Sequence, residues 1–162
     1  MLLKFLLFLL CITTMAVAQQ SNVDRYRAIH DSAIVVDTHN DVVQRILNGE
    51  DLSIRTTHGH SDLPRWKEGG VDIQVFSIWV PPEKTTVSYY DQANEQIDSV
   101  ESLIRRNPGV AAPMGTAADA ERIVREGKFA AMLGIEGGHV IESDIHKLEH
   151  FYHRGVRYIT LT

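Results

Sequence analysis

The segment from Asp37 to Asp41 carries the densest group of side chains able to do chemistry. It reads Asp-Thr-His-Asn-Asp and directly follows an apolar run over residues 33–36. In an extended chain, residues i and i+2 point to the same side, so His39 and Asp41 are expected to project together. An imidazole nitrogen and a carboxylate are suitable ligands for zinc. Taken alone, His-x-Asp is equally compatible with a surface turn.

A second candidate ligand is Glu136, which follows another apolar run and is flanked by glycines. Glycine lets the main chain turn sharply and pass close to a ligand. If both runs are strands of one parallel sheet, their carboxyl ends open onto the same rim, where such folds place their sites. As an isolated residue, Glu136 also fits a solvent-exposed cap of the following turn. The two motifs strengthen each other as candidates for one functional site, because both would open onto the same rim.

Asp37 has two candidate roles. Ligating histidines usually donate their second ring N–H to an acceptor, so Asp37 is a candidate to orient His39. It is equally suited to capping the end of the strand.

His146 and His150 stand four residues apart, as metalloprotease histidines do, but no glutamate follows His146 directly. We expect that pair to lie on a solvated helix face.

Buried strands alternating with helices are predicted to position these residues. Apolar, β-branched runs indicate strands, the first of them buried on both faces, at 33–36, 70–80, 129–135 and 156–161. Apolar spacings of three and four indicate helices over about 87–104 and 143–154, and capping or helix-ending residues indicate helices over about 22–30 and 116–127. Thr116 and Asp119 are expected to cap the third helix. The residues expected to pack in the core include Trp66, Phe76, Trp79 and Phe129.

This alternation is typical of an α/β protein, a parallel sheet with helices on its faces. Two architectures fit the pattern: an open doubly wound sheet, and part of a (β/α)8 barrel. A closed barrel needs eight strands and typically about 250 residues. The chain has 162 residues and four predicted strands. Length alone therefore leaves both architectures open.

The N-terminal segment and the composition predict where the protein is located and exclude several kinds of chemistry. Residues 1–18 have a positive start, an apolar stretch and a small-residue cleavage pattern, which predicts a signal peptide and an exported protein. The single cysteine, Cys11, lies in that segment, so disulfide, thiolate-zinc and cysteine-enzyme chemistry are excluded for the remainder. A net charge of -5 without a basic run argues against nucleic-acid binding. Membrane contact is expected only through the signal segment or a C-terminal anchor.

Five motifs together resemble the successive signatures of the membrane (renal) dipeptidase family, within the amidohydrolase superfamily. They occur in the order and spacing of that family, and the resemblance covers essentially all of the chain after the signal segment. They are residues 37–41 (DTHND), 60–65 (HSDLPR), 126–128 (EGK), 134–139 (GIEGGH) and 157–162 (RYITLT).

The resemblance implies a metal-dependent hydrolase with a (β/α)8 TIM-barrel fold. Residues 19–162 would form its N-terminal half, about four βα units, truncated before the site is complete. It also implies that His39 and Asp41 ligate one zinc ion (Zn2+), and that Glu136 bridges this ion to a second. Water activated between the two zinc ions would attack a dipeptide carbonyl. The remaining ligands and a substrate-binding histidine are expected after Thr162.

The predicted function is therefore zinc-dependent hydrolysis of dipeptides by an exported enzyme in the periplasm, outside the cell or at its surface. The full-length chain is compatible with an oligomer. One alternative is a catalytically inactive fragment or degenerate relative with at most one weak metal site. A third interpretation is another amidohydrolase, but those enzymes usually begin with His-x-His, and His39-Asn40-Asp41 departs from that pattern.

Overall fold

The computed structural model of the chain describes residues 22–83 and 85–161. The predicted signal peptide, Cys11 and Thr162 therefore lie outside the described residues. The chain divides into two units, Met1–Ala33 and Ile34–Thr162. In the first unit, helix α1 runs over residues 22–32. Within the described ranges, no helix is both long enough and apolar enough to cross a lipid bilayer.

The second unit alternates strands with helices along the chain, as the apolar pattern predicts. Its strands are β1 (Val36–Asn40), β2 (Ile73–Trp79), β3 (Ala111–Pro113), β4 (Phe129–Glu136) and β5 (Val156–Ile159). Its helices are α2 (Val43–Leu47), α3 (Leu63–Glu68), α4 (Tyr89–Arg106), α5 (Ala117–Arg125), a 3-10 helix (Gly138–Ile141) and α6 (Ile145–His153).

The strands form a five-stranded sheet in which every recorded pairing is parallel. β2 lies between β1 and β4, and β5 pairs with the carboxyl half of β4. The short β3 pairs with the amino half of β4, at residues 129–131. The four longer strands thus follow one another in chain order. A doubly wound sheet reverses its strand order at a switch point, so this order favours the barrel.

The core lies where helices α3 and α4 cover the sheet. Trp66 of α3 stacks on Phe129 of β4, with ring centroids 5.1 Å apart, and meets Phe76 of β2 edge-on at 5.6 Å. Ile97 and Val100 of α4 are fully buried in the same cluster. Burial of apolar surface is the dominant favourable term in folding. It fixes both helices against the strands that carry the candidate site.

Local signals in the sequence set the start of α5 as predicted. Thr116 Oγ1 accepts from the main-chain N–H of Asp119 at 3.1 Å, and the Asp119 carboxylate accepts from the Thr116 N–H at 3.1 Å. This reciprocal capping box opens α5 and satisfies N–H groups that a helix end leaves unpaired. Gly127, with a φ of 70°, follows α5 and turns the chain into β4.

The structure corrects the predicted first strand. β1 comprises Val36–Asn40 rather than residues 33–36, so His39 lies within the strand. The expectation that this strand is buried on both faces was wrong, since Ile34 is 49% exposed and Val36 is 46% exposed. β1 also lies at an edge of the described sheet, since it pairs with β2 and has no second neighbour among the described strands.

Two further differences concern the core and the short elements. Trp79 was expected in the core, but it is 37% exposed at the carboxyl end of β2. Sequence analysis also missed β3, α2 and α3, which have 3, 5 and 6 residues. Elements this short do not complete enough turns or alternations to give a recognisable apolar period.

Candidate metal centre

Three potential ligands meet at the carboxyl edge of the sheet: His39 in β1, Asp41 directly after β1, and Glu136 at the end of β4. His39 Nε2 lies 3.1 Å from Asp41 Oδ1 and 3.2 Å from Glu136 Oε2. One ligand atom from each of the three residues lies within 4.8 Å of the others. Within residues 22–83 and 85–161, no other group of three or more His, Cys, Asp or Glu side chains is arranged in this way. The structure therefore brings together the three residues predicted as ligands.

The donor set of this cluster fits a divalent cation of the zinc type. Imidazole nitrogen and carboxylate oxygen are both ordinary zinc ligands. Two carboxylates held this close repel each other, and a cation between them offsets the repulsion. The side chains of His39, Asp41 and Glu136 are 45%, 66% and 39% exposed. A cation and a small substrate can therefore reach the cluster from solvent.

An irregularity in β1 determines how His39 is presented. The pairing of β1 with β2 shifts register between Asp37 and Asn40, so the strand bends just where His39 lies. The carboxylate of Asp37 accepts from the main-chain N–H of His39 at 3.2 Å. This contact orients the main chain at His39. The proposed action of Asp37 on the imidazole ring stays a prediction.

Asn40, between the two candidate ligands of β1, anchors the end of this strand to β2. Its Nδ2 donates to Gln74 Oε1 and to Ser61 Oγ, both at 3.2 Å, and its Oδ1 accepts from the Val42 N–H at 3.1 Å. Gln74 is fully buried and also donates to the Asp37 carbonyl at 3.3 Å. Leaving a buried polar group unpaired costs about 1–3 kcal/mol, so these bonds restrict the conformation of the ligand-bearing segment.

Glu136 is fixed at the last residue of β4. Trp79 lies opposite Glu136 in the β2–β4 pairing. Gln96 of α4 binds both main-chain groups of Trp79, accepting from its N–H at 3.0 Å and donating to its carbonyl at 2.6 Å. Ser77 Oγ donates to Glu136 Oε2 at 3.1 Å. Gly137 then turns the chain away with a φ of 101°, a conformation that side chains disfavour.

Tyr158 of β5 packs on Gly134, which lies two residues before Glu136 in β4. It pairs with Gly134, and its ring takes the space of a side chain there, since a Cβ on Gly134 would lie 2.2 Å from Tyr158 Cζ. Burial, and then the charges of Glu136 and Asp41, raise the pKa of the Tyr158 phenol.

His139, His146 and His150 lie outside the candidate metal group. His139 Nε2 donates to the Val80 carbonyl at 3.0 Å, and its ring meets that of Tyr89 edge-on. His146 and His150 are exposed, as expected, and neither belongs to a candidate metal group within the described residues. The metal-ligand chemistry of the described chain is thus concentrated at the carboxyl edge of β1 and β4.

Asn40, Gln74 and Ser77 contact the candidate site or its neighbours but were not predicted from the sequence. A signal for two of them was available, because Gln74 and Ser77 are the polar residues in the otherwise apolar strand β2. Buried polar groups are almost always hydrogen-bonded, so polar residues in a buried strand indicate partners nearby. Which partners they contact depends on the register of β2 with β1 and β4.

The parallel sheet and the three clustered ligand side chains define an α/β protein with a candidate metal centre. Comparison with protein families gives the narrower assignment. The sequence model described as Membrane dipeptidase (Peptidase family M19) matches residues 23–162. The chain belongs to this family of metallodipeptidases, which confirms the resemblance seen in the sequence.

Similar proteins agree with the family and the fold. Dipeptidase 3 of Homo sapiens is 33% identical over 144 residues, covering 85% of this chain and 29% of the human protein. The crystal structure of the metallopeptidase dipeptidase AC matches with a TM-score of 0.67 at 27% identity, covering 79% of this chain and 42% of that chain. A probable dipeptidase from Pseudomonas aeruginosa shares the fold, with a TM-score of 0.76, 20% identity, and coverage of 88% and 38%.

These matches confirm the predicted fold class, α/β with a parallel sheet that corresponds to part of a TIM-barrel-like dipeptidase. The chain spans less than a third of the human relative and less than half of the two solved structures.

Proposed function

We propose that the protein is an exported zinc metallodipeptidase to whose active site this chain contributes three metal ligands. In this proposal His39 and Asp41 hold one zinc ion and Glu136 bridges it to a second. Residues 1–18 act as the signal peptide, and residues 19–162 form the N-terminal part of the barrel domain. The observation that carries the proposal is the 3.2 Å approach of His39 Nε2 to Glu136 Oε2, on strands separated by β2.

Each ligand has a role that follows from its chemistry. The imidazole of His39 supplies a neutral nitrogen, and the carboxylate of Asp41 supplies an anionic oxygen beside it. Glu136 offers two oxygens from one carboxylate, so it would hold zinc as a shared ligand rather than act as a base. Zinc held there would polarise the scissile carbonyl of a dipeptide and make a water molecule nucleophilic near neutral pH.

The decisive experiment replaces Glu136 by glutamine in the full-length gene product. Glutamine keeps the size of the side chain but removes the charge, so we expect zinc content and dipeptide hydrolysis to fall together. The loss of activity should exceed the about 10–100-fold typical of residues that only support a ligand. Zinc is measured by elemental analysis after gel filtration, and hydrolysis by release of free amino acids from a panel of dipeptides.

Glu121→Gln is the matched control, because Glu121 is a 63% exposed residue of α5 outside the candidate metal group. It should retain wild-type zinc and activity. Dipeptide hydrolysis that persisted in EDTA, or in Glu136→Gln, would contradict the metal mechanism. Zinc binding without hydrolysis of any dipeptide would favour the second candidate, a non-catalytic relative.

A further inference from the structure

We propose that Ser77 is a positioning residue for Glu136, an inference that rests on the proposed function. Ser77 lies on β2, which carries none of the proposed ligands, and it is 2% exposed. Its Oγ donates to Glu136 Oε2 at 3.1 Å. That oxygen is also the one that lies 3.2 Å from His39 Nε2. Ser77 therefore holds the carboxylate oxygen that faces the other ligands.

The sheet explains why the Ser77 hydroxyl turns to Glu136. In the β2–β4 pairing Ser77 lies opposite Gly134, two residues before Glu136, and alternate residues of a strand share one face. Gly134 has no side chain, and the ring of Tyr158 lies over it. No side chain at position 134 therefore lies between the Ser77 hydroxyl and the Glu136 carboxylate two residues further along β4. A buried hydroxyl requires such a partner.

The consequence for the metal centre is a fixed carboxylate plane. A glutamate that bridged two cations would have to direct one carboxylate oxygen to each. Rotation about its Cγ–Cδ bond would turn both oxygens away from the cations. A hydroxyl donor on Oε2 opposes that rotation and assigns this oxygen to the side of His39. Hydrogen bonds to ligating carboxylates typically contribute about 10–100-fold to metal affinity or activity.

The test uses Ser77→Ala, Ser77→Thr and wild type as full-length gene products. Alanine removes one oxygen atom without adding bulk, whereas threonine keeps the hydroxyl. We expect Ser77→Ala to bind zinc about 10–100-fold more weakly in competition with a chromophoric chelator. Its cobalt-substituted form should show a shifted visible absorption spectrum. Ser77→Thr should stay closer to wild type in both measurements.

The control is Ser99→Ala, since Ser99 Oγ donates to the Gln96 carbonyl within α4 and not to a candidate ligand. It should leave zinc affinity and the cobalt spectrum unchanged, and all metal-free variants should melt near the wild-type temperature. Wild-type affinity in Ser77→Ala, or an equal loss in Ser77→Thr and Ser77→Ala, would overturn the role of the hydroxyl. If Glu136→Gln weakened zinc binding in the same assay, the proposed function would survive that result. Wild type that bound no zinc would overturn both.

Discussion

His39 Nε2 and Glu136 Oε2 lie 3.2 Å apart although β2 separates the strands that carry them. Neighbouring strands are about 4.8 Å apart, so the two main chains stand roughly 10 Å from each other and the side chains must converge across β2. Ser77 is the β2 residue that contacts Glu136 there. The contact therefore depends on the register of three strands, and substitutions in β2 and its neighbours are expected to alter it.

Zinc should stabilise the folded protein through His39. A ligand that binds only the native state adds about 2.7 kcal/mol when present at 100 times its dissociation constant. We therefore expect zinc to raise the melting temperature of the wild-type gene product, and EDTA to reverse the increase. His39→Ala should lose most of this effect in a thermal-shift assay, whereas the exposed His146→Ala should keep it. A zinc response of His39→Ala equal to wild type would rule out His39 as a principal ligand.

Gln74→Met should weaken the metal centre without touching a ligand. Methionine fills a similar volume but offers no amide, so the Asn40 Nδ2 and the Asp37 carbonyl each lose a partner. We expect a loss of about 1–3 kcal/mol in the free energy of unfolding, together with weaker zinc binding. Urea unfolding and chelator competition measure the two effects.

Gln92→Met is the matched control for that substitution. Gln92 donates to Thr85 and Val87 in the segment before α4, and not to a residue of β1. It should leave zinc affinity unchanged. A Gln74→Met protein with wild-type zinc affinity would show that the Asn40–Gln74 contact does not position the β1 ligands.

Gly134→Ala should disturb the packing of Tyr158 on β4 next to the candidate site. The new Cβ would lie 2.2 Å from Tyr158 Cζ, so the ring must move, and overpacking of this kind costs about 1–3 kcal/mol. Gly109→Ala is the comparison, since a Cβ there has no heavy atom within 4 Å beyond its chain neighbours. Chemical denaturation compares the two. Equal stability of the variants would contradict the close packing of Tyr158 on Gly134.

Asp62→Asn should remove an acid-sensitive part of the stability. Burial opposes the charge of Asp62, but hydrogen bonds from Arg65 and Thr56 outweigh it and hold the pKa of this carboxyl below its usual range. A carboxyl with a lowered folded-state pKa stabilises the fold above its unfolded pKa of about 3.9, and this contribution is lost as pH falls through the folded pKa. Wild type should therefore lose melting temperature more steeply below about pH 4 than Asp62→Asn.

Melting curves between neutral and acid pH test this, with the exposed Asp31→Asn as control. The control should follow the wild-type pH dependence. If Asp62→Asn also followed it, the network around Asp62 would not be a source of acid sensitivity.

Helices whose apolar residues recur at a clear period were predictable from the sequence. Apolar spacing located α4 and α6, and the Thr116–Asp119 pattern located the start of α5, because these signals arise from residues within one or two turns. The extent of β1 was not predictable in this way. Its exposure and its register shift depend on having β2 as a partner along one edge, which no local pattern encodes.

The sequence by itself determined the candidate ligands, because the residue types of His39, Asp41 and Glu136 and their places after apolar runs limit the chemistry available. It also determined the family, since ordered motifs along one chain are a local property. Only the tertiary structure decided that these ligands meet, that Gln74 contacts Asn40 and that Ser77 contacts Glu136. Those contacts join residues distant in the chain, and their distances follow from the parallel register of β2 with the strands on either side.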